Sequence, residues 1–123
     1  MIHLDTNFLI DALVTGSTQE AQLVSWLSAG ESLGISSVAW GEFLCGPLTA
    51  TAESVARQLL PDAAHLEKVD AEKAAELFNA TGRRAKCFAD CCIAAVAIRT
   101  QARLATSNRN DFGPMVPHGL DLA

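Results

Sequence analysis

The chain has 123 residues, half of them hydrophobic, with 9 Lys+Arg against 14 Asp+Glu and a formal net charge of −5. This length predicts one domain, residues 1–123, around a single core, and the apolar fraction excludes a disordered or low-complexity chain. The acidic total argues against a protein that clings to nucleic acid by bulk electrostatics, but the charge is uneven: residues 1–62 hold one base and seven acids, while Arg83 to Arg109 holds six bases and the single acid Asp90.

Short β-like runs alternate with helical ones along the chain. Ile2-His3-Leu4 is a brief strand that runs into Asp5, and no basic head precedes a long apolar run, so no leader peptide is expected. Phe8 to Val14 reads as a short helix. Ser17-Thr18-Gln19-Glu20 has the form of a capping box and opens a helix with Ala21, Val24 and Leu27 on one face, stopping at Gly30. Ser32 to Ile35 is a second strand, after which Ser36 and Ser37 cap a helix from Val38 to Cys45 that Gly46-Pro47 ends.

A further helix is predicted from Thr51 to Leu60 and a third strand from His65 to Val69. Asp70 is expected to cap an amphipathic helix with Ala71, Ala74, Ala75 and Phe78 on its buried face, ending at Gly82. Phe88 to Thr100 is apolar nearly all round, the pattern of a helix buried between other elements. Leu104 to Thr106 reads as a fourth strand and Met115-Val116 as a short fifth. Strands alternating with helices predict a parallel sheet covered on both faces, with its ligand site at the carboxyl ends of the strands.

The longest uncharged run of the second half, Cys91 to Ile98, is too short to span a bilayer, and a cytoplasmic protein is expected. Cys45, Cys87, Cys91 and Cys92 make a poor disulfide framework and read as buried, reduced thiols.

On this scaffold several acids need explaining. Asp5 ends the first strand, Glu42 lies in the helix after the second, Asp90 begins the apolar helix, and Asn108 and Asp111 follow the fourth strand. Each has a bland alternative: Asp5 and Asp90 could serve helix N-termini, and Asp111 an ordinary turn. Glu42 and Asp90 keep apolar company along the sequence, where an unpaired charge is costly. Carboxylates gathered at one sheet edge repel one another until a proton or a cation intervenes. A hard divalent cation on such oxygens supports phosphoryl-transfer chemistry.

Four segments carry a resemblance: Leu4-Asp5-Thr6-Asn7, Ile35 to Glu42, Ala89 to Ala95, and Ala105 to Phe112. In this order and spacing they resemble the four motifs of PIN domains, most closely the VapC-type toxins of prokaryotic toxin–antitoxin pairs. The resemblance implies a three-layer α/β/α sandwich with a mainly parallel sheet of four to five strands. It implies an endoribonuclease dependent on Mg²⁺ or Mn²⁺, a homodimer, and neutralisation by a VapB-like antitoxin. Asp5, Glu42 and Asp90 match the invariant acids, and Thr6 and Asn7 the polar residues beside the first. Asn108 stands where an Asp is frequent, and Asp111 matches a more peripheral acid of the last motif. By the same implication Asp5, Glu42 and Asp90 are catalytic, and these three with Asn108 and Asp111 hold metal.

Arg83, Arg84, Lys86 and Arg109 are candidates to meet RNA phosphates, against the plain alternative of solvated surface. Trp26 and Trp40 read as core rather than as base-stacking platforms. A phosphatase of the haloacid dehalogenase type fits poorly, because Asn7 replaces its second aspartate. The remaining alternative is a degenerate PIN-like domain that dimerises or binds RNA or protein without cutting, since Asn108 breaks the acid set.

Overall fold

The short strand Ile2–Leu4 (β1) is the centre of a sheet whose order is β2-β1-β3, with β2 at Leu33–Gly34 and β3 at Arg103–Ala105. The computed structural model describes residues 1–83 and 88–123, and all statements below concern those residues. Both neighbours run parallel to β1, pairing Ile2 with Leu33 and Arg103, and Leu4 with Ala105. Ile2, His3 and Leu4 are all buried although successive side chains point to opposite faces. The sheet is therefore covered on both sides, as parallel sheets require. Seven helices flank it: α1 (Thr6–Ala12), α2 (Thr18–Ser28), α3 (Ser37–Cys45), α4 (Ala50–Leu59), α5 (Lys68–Ala80), α6 (Phe88–Arg99) and α7 (Arg109–Phe112).

Two expected strands lie elsewhere. The third does not occupy His65 to Val69. The chain instead meets the sheet edge at a parallel bridge between Ser36 and Ala64, then enters α5 at Lys68. Met115-Val116 belongs to a 3-10 turn over Gly113–His118, and the other sheet edge is met by Leu122, bridged to Leu104. Pro114 and Pro117 explain the displacement, since proline cannot donate to a strand ladder.

Two helix faces also differ from expectation. Glu67, not Asp70, is the N-cap residue of α5, with Asp70 as the reciprocal member of a capping box. The register moves accordingly: Asp70, Ala74 and Leu77 are buried, while Ala71 and Ala75 are exposed. In α2 the buried residue is Leu23, with Trp26 half-buried and stacked on Phe8 at 5.5 Å, and Val24 and Leu27 lie on the solvent side. Trp40 is half-buried, packed beside Phe43 and beneath the Arg57 guanidinium, at 5.4 and 5.5 Å between centres. Cys91 and Cys92 are buried as expected, but Cys45 is exposed, and Cys87 lies outside the described residues. No helix among the described residues is long and apolar enough to cross a membrane.

The α6 stretch Cys91 to Ala97 is wholly buried, and its small side chains let α5 pack close against it. Arg99 at its end reaches across to α5, its Nε donating to the buried Asp70 carboxylate at 2.8 Å and its Nη2 to the His65 carbonyl at 3.0 Å. Asp70 also accepts from the Glu67 N–H at 2.9 Å, so one buried carboxylate both starts α5 and ties it to α6. Replacing Asp70 by Ala removes both functions at once. We expect Asp70→Ala to lower the unfolding free energy by about 2 kcal/mol or more, the scale of a lost charged hydrogen bond at a buried site, measured by urea denaturation.

Candidate functional site

Parallel strands deliver their carboxyl ends to one edge, and the chain uses that edge twice in adjacent strands. Leu4 pairs with Ala105, so Asp5 and Thr106 leave β1 and β3 side by side, with the Asp5 N–H donating to the Ala105 carbonyl at 2.9 Å. Asp5 is the N-cap residue of α1, as its bland reading predicts. Its hydrogen bonds are not those of an ordinary cap, which accepts from the second or third N–H of the helix. Oδ1 accepts from the first, that of Thr6, at 2.7 Å, and Oδ2 accepts from the Thr106 hydroxyl at 2.9 Å. The carboxylate is thereby held between α1 and β3, and the residue is only 3% exposed.

Thr6 orients a second acid. While its N–H serves Asp5, its hydroxyl donates to Glu42 Oε1 at 2.9 Å, across from α1 to α3. The helix that carries Glu42 is capped by Ser36, whose hydroxyl accepts from the Ala39 N–H at 3.1 Å. Glu42 itself is exposed, contrary to the expectation drawn from its apolar neighbours in sequence. Those neighbours divide around the helix: Ala39 and Phe43 face the core and Glu42 faces out toward α1.

Asp90 lies in the first turn of α6, half-buried, where the helix dipole favours an anion. Despite that dipole its carboxyl is pushed up to about 7, chiefly by burial and then by the charges of Asp5, Asp111 and Glu42. Asp5 is raised as well, by burial first, with Glu42 and Asp111 adding to it and the hydrogen bonds from Thr106 and Thr6 opposing. Four carboxylates thus act on one another within this edge.

The last motif forms the rim. The Asn108 N–H donates to the Thr106 hydroxyl oxygen at 2.9 Å, and the Asn108 carbonyl accepts from the Asp111 N–H at 3.0 Å at the start of α7. Residues Thr106 to Asp111 line an open cavity of about 470 Å³. The Asn108 side chain caps nothing and is half-buried, while Asp111 is exposed. Asn7 is exposed on the first turn of α1, and among the described residues no hydrogen bond joins it to the carboxylates.

The basic candidates are less gathered. Arg109 also borders the cavity but its guanidinium donates to the carbonyl of Ala123. Arg83 is exposed with a left-handed φ of 57°, just after Gly82. Arg84 and Lys86 lie outside the described residues. Thr106 is the residue that motif reading passed over. Its role follows once the register of β1 and β3 is known, because Thr106 then leaves β3 beside Asp5.

The donor set is oxygen throughout, crowded with like charge, which suits a hard divalent cation. Among the described residues no three of His, Cys, Asp and Glu close into a ready-made metal cage. That is compatible with Mg²⁺, which keeps several waters and uses one or two carboxylates directly.

Several solved structures share this architecture. VapBC2 from Rickettsia felis, bound to a DNA fragment from its promoter, aligns at a TM-score of 0.76 and 21% identity, covering 100% of this chain and 98% of that one. FitAcB from Neisseria gonorrhoeae aligns at 0.72 and 21% identity, over 99% and 96% of the two chains. A toxin–antitoxin complex from Klebsiella pneumoniae aligns at 0.71 and 25% identity, over 91% and 90%. No curated protein sequence matches the chain. Residues 2–113 match the PIN domain family, which takes in every strand and helix from β1 to α7, and the chain belongs to that family.

Proposed function

We propose that this PIN domain, spanning residues 1–123, is a metal-dependent endoribonuclease and the toxin of a VapBC-like toxin–antitoxin pair. The observation that carries the reading is the gathering of Asp5, Glu42, Asp90 and Asp111 at one sheet edge, where burial first and then the charges of the other three push Asp90 up to about 7. Folds retain such crowding where a cation relieves it. The structural neighbours include VapBC2 and a toxin–antitoxin complex, which supports an antitoxin of VapB type as partner; a homodimer and a cytoplasmic setting are part of the same proposal.

Mg²⁺ or Mn²⁺ would be held by Asp5 and Asp90, with Glu42 holding the ion or orienting the attacking water and Asn108 and Asp111 completing the outer part. When bound, such an ion neutralises phosphodiester charge and makes water a better nucleophile. The chain's own residues do the rest. Thr6 and Thr106 fix both oxygens of Asp5, and Thr6 aims Glu42 into the same space, so little reorganisation is left for the reaction. Asn7, exposed on the first turn of α1 beside Asp5, is proposed as a polar neighbour of the site. Arg83, Arg84, Lys86 and Arg109 are proposed to meet the RNA backbone. Asn108 supplies a neutral oxygen where a carboxylate is frequent, and this favours the degenerate alternative only if the three acids prove insufficient.

The decisive test is Asp5→Asn. The variant should lose RNA cleavage by about a hundredfold or more, in line with removing a metal-holding group at a preorganised site, and should relieve growth arrest on expression. Cleavage at the wild-type rate would remove Asp5 from the mechanism.

Metal should also stabilise the fold, because it binds the folded state preferentially. Millimolar Mg²⁺ or Mn²⁺ should raise the melting temperature by several degrees, about 3 °C or more. A melting curve indifferent to both ions would favour the non-catalytic alternative.

The carboxyl of Asp90 is raised in the folded state, so between its ordinary value near 3.8 and about 7 the folded chain binds more protons than the unfolded one. Metal-free stability therefore falls as pH rises through that window. The melting temperature of metal-free protein is expected to drop by about 5 °C between pH 5 and pH 8, with Mn²⁺ suppressing the drop. A rise over the same range would contradict the crowded site.

A further inference from the structure

Asp11 is an acid that neither the motifs nor the proposed mechanism uses, and its position is unfavourable. It lies in the last turn of α1, where the helix dipole disfavours an anion, and no basic residue shares that turn. Its partners explain it. Asp11 Oδ2 accepts from the Ser107 hydroxyl at 3.0 Å, across 96 positions of sequence. Ser107 Oγ in turn accepts from Gln19 Nε2 of α2 at 3.4 Å, and the Asp11 carbonyl accepts from the Ser17 hydroxyl at 2.7 Å, at the cap of the same helix. Asp11 is thus a junction between the end of α1, the start of α2 and the loop after β3.

That loop is consequently attached to α1 at both of its ends. Thr106 binds Asp5 at the N-cap, and the next residue, Ser107, binds Asp11 in the last turn. The two bonds reach opposite ends of α1, so two such anchors fix the loop's rotation about the end of β3 as well as its distance from α1. One anchor would leave rotation free. The segment needs the second anchor, because Asn108, which begins α7, makes no side-chain cap bond of its own. Asp111 rides on that short helix.

Resting on the reading of the carboxylate site given above, we propose that Asp11 and Ser107 form a latch. It positions the loop carrying Asn108 and Asp111 against Asp5, and thereby sets how tightly the cluster holds a divalent cation. Both are positioning residues, acting through the loop and touching neither substrate nor metal.

The test uses the whole chain. In metal-free protein, Asp11→Ala and Ser107→Ala should each speed hydrogen exchange at the Asp111 and Phe112 amides, both bonded to the Asn108 carbonyl, by about tenfold. Exchange at Leu77 and Ala94 in the α5–α6 pair should be unchanged. In Mn²⁺ titrations followed by electron paramagnetic resonance, each variant should bind about tenfold more weakly, the low end of what outer partners of a ligand set contribute. The double variant should be no worse than either single one.

Asp11→Asn and Ser107→Thr keep an acceptor and a donor and should behave as wild type. Unchanged exchange at Asp111 and Phe112 in both alanine variants overturns the latch. Faster exchange with unchanged Mn²⁺ affinity overturns its bearing on the metal. Asp11→Asn behaving like Asp11→Ala would also overturn it, since charge and not the hydrogen bond would then matter. If wild-type protein neither binds Mn²⁺ nor cuts RNA, the reading of the site fails instead, and the exchange data alone decide the latch.

Discussion

Asp5 carries a charge out of a strand buried on both faces, and most of the architecture around the candidate site answers that constraint. A carboxylate 3% exposed must be hydrogen-bonded, and two different elements supply the donors: the first turn of α1 and the end of β3. This fixes the register in which β1 and β3 meet, because sliding β3 by one residue would move the Thr106 hydroxyl to the other face. Thr6, recruited to the Asp5 carboxylate through its N–H, has its hydroxyl left to set Glu42. The geometry of three motifs therefore descends from the need to satisfy one buried acid.

Much of this was legible from sequence, and the unevenness has physical reasons. Asp5 and Asp90 drew attention because acids at the ends of apolar elements are expensive and so conspicuous, whereas Glu42 turned out to be exposed and Asp111 stood out only through the motif resemblance. Their mutual influence through burial and charge agrees with one shared edge. Thr106 and Asp11 were harder to see. A hydroxyl or an acid in a loop costs little wherever it stands, so only the strand register and a contact across 96 positions reveal what each does.

The errors in the fold have a similar origin. The α2 stripe of Ala21, Val24 and Leu27 and the α5 face of Ala71 and Ala75 satisfied helical periodicity, yet tertiary packing chose the neighbouring register. In α5 the choice is understandable. Turning Asp70 inward lets Arg99 and the Glu67 N–H satisfy it, and Leu77 follows it into the core. A buried polar group with excellent partners outweighed a stripe of alanines, each of which has little apolar surface to lose. Edge strands failed for another reason: a single bridge at Ala64 or at Leu122 leaves no alternating pattern to read.

The acidic total that argued against a nucleic-acid enzyme takes a different meaning once the charges are placed. In the proposed site four of the 14 acids stand at one sheet edge and act on one another, so part of the negative charge belongs to a cation's seat and not to a surface that repels RNA. The same placement gives Asn108 a physical rationale. With burial, and then Asp5, Asp111 and Glu42, already lifting Asp90 to about 7, a further carboxylate next to Thr106 would add to the repulsion and favour the protonated form of Asp90. A neutral amide oxygen there leaves a donor without the charge. Departure from the frequent aspartate thus lowers the repulsion within the proposed site while keeping an oxygen available at its rim, which is what a cluster of carboxylates needs to fold without a cation.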